Sequence, residues 1–309
     1  MQKDFSIIIP FYNANKFVKL SLENTLEISK KNSNIEIIYV NNNSKDSSYS
    51  KIKNKIKNLK NFKIYNTNKK KGMGPGIARN LGIKKSNSKF LTFLDIDDSI
   101  EPKNIGKLIK YCKKFKGNFF LIKTKSNRND FKNISYNKKN IKNFFRQSNN
   151  MHAIAKVYKK KYLVNYKLFF SKGIFEDIFF TFKCHFYNKK KVGFLKKVLY
   201  EKKENFSSIT LSKKTFKHIY FKFIAFKSIE SFLKKNDIKL FNKIYKDIQY
   251  RFRGEFSNEY NEIIKSKFNK SEKEIFVNYL KKLYKNSIDK KFKVITLKDK
   301  ITKKKLFNV

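Results

Sequence analysis

The chain of 309 residues carries 74 Lys and Arg against 24 Asp and Glu, a formal charge of +50, with 33 Phe and an apolar fraction of 40%. That apolar content excludes a disordered chain, and two cysteines far apart in sequence exclude a disulfide framework or a CxxC metal site. The charge is spread evenly, +17 over residues 211–309 and +33 over the first 210, and only five basic residues are Arg, so a surface built to read nucleic acid is excluded as well.

Taken in chain order, the first hundred residues alternate short β-branched runs with longer helical patterns, the arrangement of βαβ units around a parallel sheet. FSIIIP at 5–10 predicts an apolar strand ended by Pro10. Residues 14–30 predict a helix with Phe17, Leu20, Leu22, Leu26 and Ile28 near helical spacing. IEIIYV at 35–40 is the second strand; NNNSKDSS then supplies turn and N-cap chemistry for a helix to about Leu59, and FKIYNT at 62–67 is the third strand. KKKGMGPGIARNLGIKKS opens with glycines and becomes a helix, followed by KFLTFLD at 89–95, the fourth strand. Beyond it the pattern predicts a helix over 103–115, a strand over 118–124, a polar loop around SNRNDFKN, a strand over 152–158, a helix over 176–188 and a strand over 192–200.

Residues 213–285 read as helical, with Phe216, Ile219, Tyr220, Phe223, Phe226, Ile229 and Leu233 along one amphipathic face. Packing on the rest of the chain covers such a face, or else a membrane surface or partner helix does. No stretch approaches the 18 apolar residues of a membrane span, and the N-terminus is strand-like without a signal-peptide cleavage pattern. Cys112 and Cys184, both in apolar contexts, are expected to be buried free thiols suited to a reducing cytoplasm. The lysine excess is expected to sit on solvated faces, with attraction to anionic lipid as a secondary effect.

Three constellations carry chemistry. In LDIDD, Asp95 and Asp97 leave an extended segment on the same side while Ile96 turns into the core. Two such carboxylates suit a hard divalent cation that bridges to phosphate oxygens, and their mutual repulsion without a counter-charge favours a metal. The plainer alternative is that Asp97, Asp98 and Ser99 cap the helix that follows. In GIFEDIFF, Glu176 and Asp177 lie between apolar residues, where desolvation raises proton affinity as a general base requires; an acidic first helical turn is the alternative. Gly72, Gly74 and Gly76 let backbone amides approach an anion, with Arg79 one turn in to pair with phosphate, although a loop needs no ligand. His152, His185 and His218 are scattered, which suits packing or polar contacts better than a metal cluster.

In their order, these pieces resemble the inverting glycosyltransferases of family 2, which have the GT-A fold. The family's opening P-x-Y-N is matched at Pro10 to Asn13, its V-[DN]-[DN]-x-S-x-D at Val40 to Asp46, its G-x-x-x-A-R-N-x-G within GPGIARNLGI, and its F-L-D-x-D-D in FLDIDD. The E-D pair follows at Glu176 and Asp177 and a late S-I-T at Ser208 to Thr210, so the resemblance covers residues 5–210. It implies an α/β GT-A domain over 1–210, Rossmann-like with a mainly parallel central sheet flanked by helices, and a helical C-terminal subdomain over 211–309.

The resemblance also implies roles. Asp95 and Asp97 would hold Mn²⁺ or Mg²⁺ with the donor's ribose and diphosphate, and Asn41 and Asn42 would read the base. Two Asn are a departure, because the family commonly has an Asp there. Pro10, Tyr12, Asn13 and Arg79 would line the donor site, and Lys203, beside Lys202, stands where many members carry an Arg for the diphosphate. Asp177 would be the catalytic base, oriented by Glu176. The partners implied are a nucleotide-sugar donor, UDP favoured, and a glycan or glycolipid acceptor in bacterial surface polysaccharide synthesis, with the chain cytoplasmic and in peripheral contact with the inner membrane face. A non-catalytic GT-A-like binding module and a sugar-nucleotidyltransferase are the competing classes; glycines after the third rather than the first strand speak against the latter.

Overall fold

The computed structural model of the chain describes residues 2–67, 74–125, 141–142, 144–145, 151–203 and 216–287. Two compact units emerge, the first formed by Met1–Ile141 with Asn149–Ser208 and the second by Lys142–Ser148 with Ile209–Val309.

In the first unit the strands are β1 (Lys3–Phe11), β2 (Ile35–Asn41), β3 (Phe62–Asn66), β4 (Ser88–Phe93), β5 (Ser99–Ile100), β6 (Phe119–Lys125), β7 (Lys156–Lys159) and β8 (Gly193–Glu201). They form one sheet in the order β3-β2-β1-β4-β7-β6-β8-β5. Pairing is parallel from β3 through β4, then antiparallel on both sides of β7, parallel between β6 and β8 and antiparallel again at β5. The helices are α1 (Val18–Lys31), α2 (Ser48–Ile56), α3 (Gly76–Lys85), α4 (Ile105–Lys114), α5 (Lys160–Asn165) and α6 (Glu176–Phe186).

Because successive strand residues face opposite sides, the continuous apolar run of β1 serves two cores. Ile7 and Ile9 join Ile37, Tyr39 and the buried faces of α1, α2 and α4, whereas Ile8 joins Ile38, Val40, Ala78 and Ile83 on the side of α3 and α6. Helices thus cover both faces and the strand ends remain for the site.

Several expectations are corrected. Pro10 does not end the first strand but pairs with Val40 inside it. Ile8, of the same parity, accepts from Leu94 on the β4 side, so the donor that Pro10 lacks points past the end of β4, where no ladder partner is due. Leu20 is 52% exposed, and α1 instead buries Ser21 and Thr25, whose hydroxyls each lie 3.0 Å from Tyr39 Oη. The strand expected from 152 begins at Lys156, because Ala155 takes a left-handed φ of +54°. The short β5 and α5 have no counterpart in the sequence reading. Cys112 and Cys184 are buried free thiols.

The opposite end of the sheet is sealed by a polar knot. Glu36, nearly fully buried, accepts from Ser6 Oγ (2.7 Å), Lys63 Nζ (2.7 Å) and the Asn87 amide (2.9 Å). Burial pulls the carboxyl upward, but Lys63 and Ser6 outweigh it and hold it below its ordinary value of 4.5. Glu36→Ala is expected to cost about 3 kcal/mol in urea unfolding, because three donors lose their acceptor. The sign of its pH dependence follows from the depressed value. The contribution is complete above pH 4.5 and is lost as pH falls through the lower folded-state value, so wild type and variant converge in acid. A variant that unfolds at the wild-type midpoint near neutrality would contradict this.

The second unit holds α7 (Phe216–Asn236), α8 (Ile238–Lys265) and α9 (Lys270–Ser287). Ile219, Phe226, Ile229 and Leu233 of α7 are buried, with Phe226 stacked on Phe252 at 4.9 Å, while Phe216 and Tyr220 of the expected stripe are more than 40% exposed. Buried Glu230 accepts from Gln249 and Lys227, each at 2.6 Å, and Asp237 caps α8 through the Leu240 amide. Among the described residues no helix is long and apolar enough to cross a membrane.

Candidate active site

The parallel strands β1, β2 and β4 end at one edge of the sheet, and the loops beyond them are stitched together by asparagines. Asn13, at φ +45°, accepts from the Lys45 amide (2.8 Å) and donates its own amide to Ser44 Oγ (3.0 Å). Asn41 donates to Asn66 (2.9 Å) and accepts from the Ser44 amide (2.9 Å). Asn42 donates to the Gly74 carbonyl (3.0 Å) and accepts from Thr67 (3.3 Å). Asn41 and Asn42 are both buried, and each has one donor and one acceptor engaged inside the protein. Tyr12, by contrast, is 56% exposed, and Pro10 is buried in β1.

The glycines after β3 serve packing. Gly74, at φ +75°, lies so close to Gly173 that an added Cβ would stand 1.9 Å from the Gly173 carbonyl oxygen. A Cβ on Gly76 would fall 2.7 Å from Glu176 Cγ. The first turn of α3 is therefore pressed against the chain leading into α6, and the anion it meets is Glu176. Gly72 lies outside the described residues. That incoming chain is bent hard, with Gly173 at φ +111° and Phe175 left-handed at φ +62° directly ahead of Glu176. Strain of this kind in a non-glycine residue costs roughly 1–3 kcal/mol and persists where the surroundings impose it. It sets Glu176 and Asp177 in the first turn of α6, where the helix dipole favours carboxylates.

Arg79 joins the two acidic segments. Its Nη1 donates to Glu176 Oε1 at 2.6 Å and its Nη2 to Asp95 Oδ1 at 2.8 Å, with the guanidinium buried over the rings of Phe170 and Phe93. Burial disfavours its charge, but Asp95, Glu176 and Asp177 more than compensate and keep it cationic. Arg79 is thus an internal tie and not an open phosphate cation, a correction to its expected place in the donor site. Burial pushes the Glu176 carboxyl above its ordinary range, against the pull of Arg79 and with repulsion from Asp177 added.

Strand β4 ends at Phe93, so Asp95, Asp97 and Asp98 stand on a turn closed by the Asp98 amide to the Asp95 carbonyl (3.0 Å). The expected alternation along an extended segment does not occur. Asp98 faces inward, accepting from Tyr200 Oη (2.5 Å) and the Lys203 amide (2.9 Å). Burial, then repulsion from Asp95, pushes its carboxyl up to about 7. Tyr200 also receives the Asp95 amide at 3.4 Å, a contact without a sequence signature. The Lys202 and Lys203 side chains are exposed; SSIT at 207–210 lies outside the described residues.

Among the described residues no three His, Cys, Asp or Glu side chains form a set able to hold a metal alone. With Asp98 turned inward and Asp95 Oδ1 on Arg79, the carboxylate chemistry of Asp97 and of the second oxygen of Asp95 suits one kind of ion. That is a hard cation bound by one or two carboxylates, with substrate phosphates and water completing its shell.

Asp177 is one-fifth exposed, and its carboxylate meets His152, Nδ1 to Oδ2 at 3.3 Å. Of the packing or polar contacts expected for His152, the structure shows a polar one. The two residues are 25 apart in sequence with no motif linking them, so spacing could not reveal the pair. His185 is buried against Phe119.

Residues 6–179 match the family described as Glycosyl transferase family 2. An uncharacterized glycosyltransferase of Haemophilus influenzae is 35% identical over 106 residues, 34% of this chain and 41% of that protein. The minor teichoic acid biosynthesis protein GgaA of Bacillus subtilis is 42% identical over 100 residues, 31% of this chain and 22% of that protein. The chain thus aligns with less than half the length of either relative. The crystal structure of S. aureus TarS 1–349 in complex with UDP-GlcNAc superposes with a TM-score of 0.69 at 20% identity, covering 91% of this chain and 80% of that one, which establishes the GT-A fold. With more than half its length matched from the first strand to the E-D pair, the chain belongs to glycosyl transferase family 2.

Proposed function

We propose that residues 1–210 transfer a sugar from a nucleotide-sugar, a UDP-sugar in preference, to an acceptor hydroxyl with inversion at the anomeric carbon. The helical part from 211 onward serves as a separate subdomain. The observation that carries this reading is that one buried guanidinium, that of Arg79, ties the Asp95 turn to the Glu176–Asp177 turn. Carboxylates 81 positions apart in the chain thereby belong to one locale, as a transfer between a diphosphate leaving group and an alcohol requires.

Asp177 takes the proton of the acceptor hydroxyl as that oxygen attacks from the side opposite the diphosphate. Glu176, fixed by Arg79, holds the first turn of α6 in place. The exposed ammonium of Lys203 offers a point charge to the diphosphate, and Tyr12 offers an exposed ring beside the loops braced by Asn13, Asn41 and Asn42. Mn²⁺ or Mg²⁺, held by Asp95 and Asp97, would act as a Lewis acid on the departing diphosphate.

A UDP donor is favoured because TarS was solved with UDP-GlcNAc. The acceptor is assigned to a bacterial surface polymer because GgaA is named for teichoic acid biosynthesis. Thermal unfolding with UDP-, GDP-, CMP- and dTDP-sugars, with and without Mn²⁺, tests the donor side. A UDP-sugar with Mn²⁺ at a hundredfold excess over its Kd is expected to raise the midpoint by about 5–10 °C. No shift and no nucleotide release with any of the four would overturn the reading.

A further inference from the structure

His152 lies in the stretch 151–155 ahead of β7, with its imidazole 54% exposed and Nδ1 3.3 Å from Asp177 Oδ2. The approach is braced from both sides. The hydroxyl of Thr181, one turn beyond Asp177 on α6, lies 2.7 Å from the Asp177 carbonyl oxygen and 3.1 Å from that of Met151. Buried Lys156 donates to the carbonyl of His152 itself, and Tyr158 Oη donates to the Ala153 carbonyl at 3.2 Å. An exposed side chain would otherwise sample several rotamers. Here the backbone beneath it is anchored to the helix that carries Asp177.

We propose that His152 is a positioning residue for the base, donating Nδ1–H to Asp177 Oδ2 so that Oδ1 is presented to the acceptor hydroxyl. The inference rests on the reading of Asp177 as the base. The acceptor oxygen forms its bond to the anomeric carbon, and the bond from that carbon to the diphosphate oxygen breaks with its electron pair. The hydroxyl proton goes to Oδ1 and afterwards to water. The imidazole makes and breaks no covalent bond.

The charged and titratable groups around Asp177 are Glu176 on its own helix, Arg79 from α3, Lys156 and Tyr158 from β7, and His152. Burial pulls the Asp177 carboxyl upward, and His152 is foremost among the groups that hold it below its ordinary value, ahead of Arg79 and Lys156. Removing the imidazole therefore shifts the acidic limb of the rate profile towards higher pH.

The test uses the full chain and the variants His152→Ala, His152→Asn and Asp177→Asn. Each is assayed for UDP release from the UDP-sugar that gives the largest thermal shift, over about pH 3 to 9 with folding verified at each pH. His152→Ala is expected to lower kcat about ten- to hundredfold, the range for a hydrogen bond to a charged group, with the donor KM unchanged and the acidic limb displaced upward. His152→Asn, whose amide nitrogen can take the place of Nδ1, is expected to recover most of kcat. A merely structural histidine would move neither the acidic limb nor the kcat-to-KM split. Asp177→Asn inactive with His152→Ala at wild-type kcat, or with a loss that Asn does not restore and an unmoved limb, overturns the pairing alone. Asp177→Asn at full turnover overturns the base assignment and the pairing together.

Discussion

Asp177→Asn is expected to lower kcat by about 10²–10⁴-fold, the usual contribution of a positioned general base, and to leave donor affinity within about twofold. Asparagine keeps the shape of the side chain and an oxygen able to accept from His152 Nδ1, so the contact at 3.3 Å survives while the capacity to take a proton does not. In the proposed reading the donor side is built from other residues, Asp95, Asp97 and the loops after β1 and β2, which is why the loss is expected to fall on kcat. The pH dependence sharpens the expectation. In the wild type His152, Arg79 and Lys156 together overcome burial and keep the carboxyl below its ordinary value, the reverse of the raised proton affinity that its apolar neighbours suggest, so in the proposed reading the base is ionised throughout the neutral range and rate is lost only as pH falls through that depressed value. The residual activity of the variant has no such limb. Steady-state kinetics with a stabilising nucleotide-sugar, together with a thermal midpoint to verify folding, decide the matter; equal kcat for the two proteins would remove Asp177 from the chemistry.

What the sequence revealed of this fold follows from where local pattern and tertiary environment agree. The apolar runs of β1 and β2 and the glycine-led start of α3 are legible because a strand buried on both faces and a helix beginning after a turn each leave a strong local signature. Leu20 and Ser21 were inverted because the apolar count along α1 ignores that Tyr39 Oη, arriving from β2, needs hydroxyl partners on the helix. The acidic residues of the proposed site stand out by type and order, but their arrangement does not. Asp95 and Asp97 stand on a turn and not along a strand, and Asp98 turns inward to Tyr200 from a strand 102 residues later. Arg79 has partners that its sequence context does not announce. A cation near glycines looks open to phosphate from the sequence alone, and only the approach of Gly76 to Glu176 shows that the neighbouring carboxylate fills that place. His152 was passed over because nothing local marks a contact made by anchoring a loop to α6 through Thr181.

Arg79→Met is expected to destabilise the chain by about 3–5 kcal/mol and to reduce kcat more than a hundredfold, because it leaves the buried Glu176 and the Asp95 turn without their shared counter-charge. The cost varies with pH in a direction that can be worked out. Burial already raises Glu176 above its ordinary value of 4.5, and loss of Arg79 removes the strongest influence lowering it. A carboxyl raised in the folded state favours folding below its unfolded value and loses that contribution as pH rises through the folded one. The deficit of the variant should therefore be smaller near pH 4.5 and grow towards neutrality, as urea unfolding at the two extremes would measure. Arg79→Lys retains the charge but has a single ammonium, which cannot reproduce two separate nitrogens donating at 2.6 and 2.8 Å to different carboxylates, so stability is expected to return further than activity. A double-mutant cycle with Glu176→Gln separates the two roles: the pair should show a coupling energy of about 2 kcal/mol in stability, since the amide no longer needs the cation. Activity should stay low in the double variant, because Asp95 is still unheld. An additive cycle with activity intact would mean that the guanidinium joins nothing, and the common locale of cation-binding and proton-accepting carboxylates would lose its physical basis.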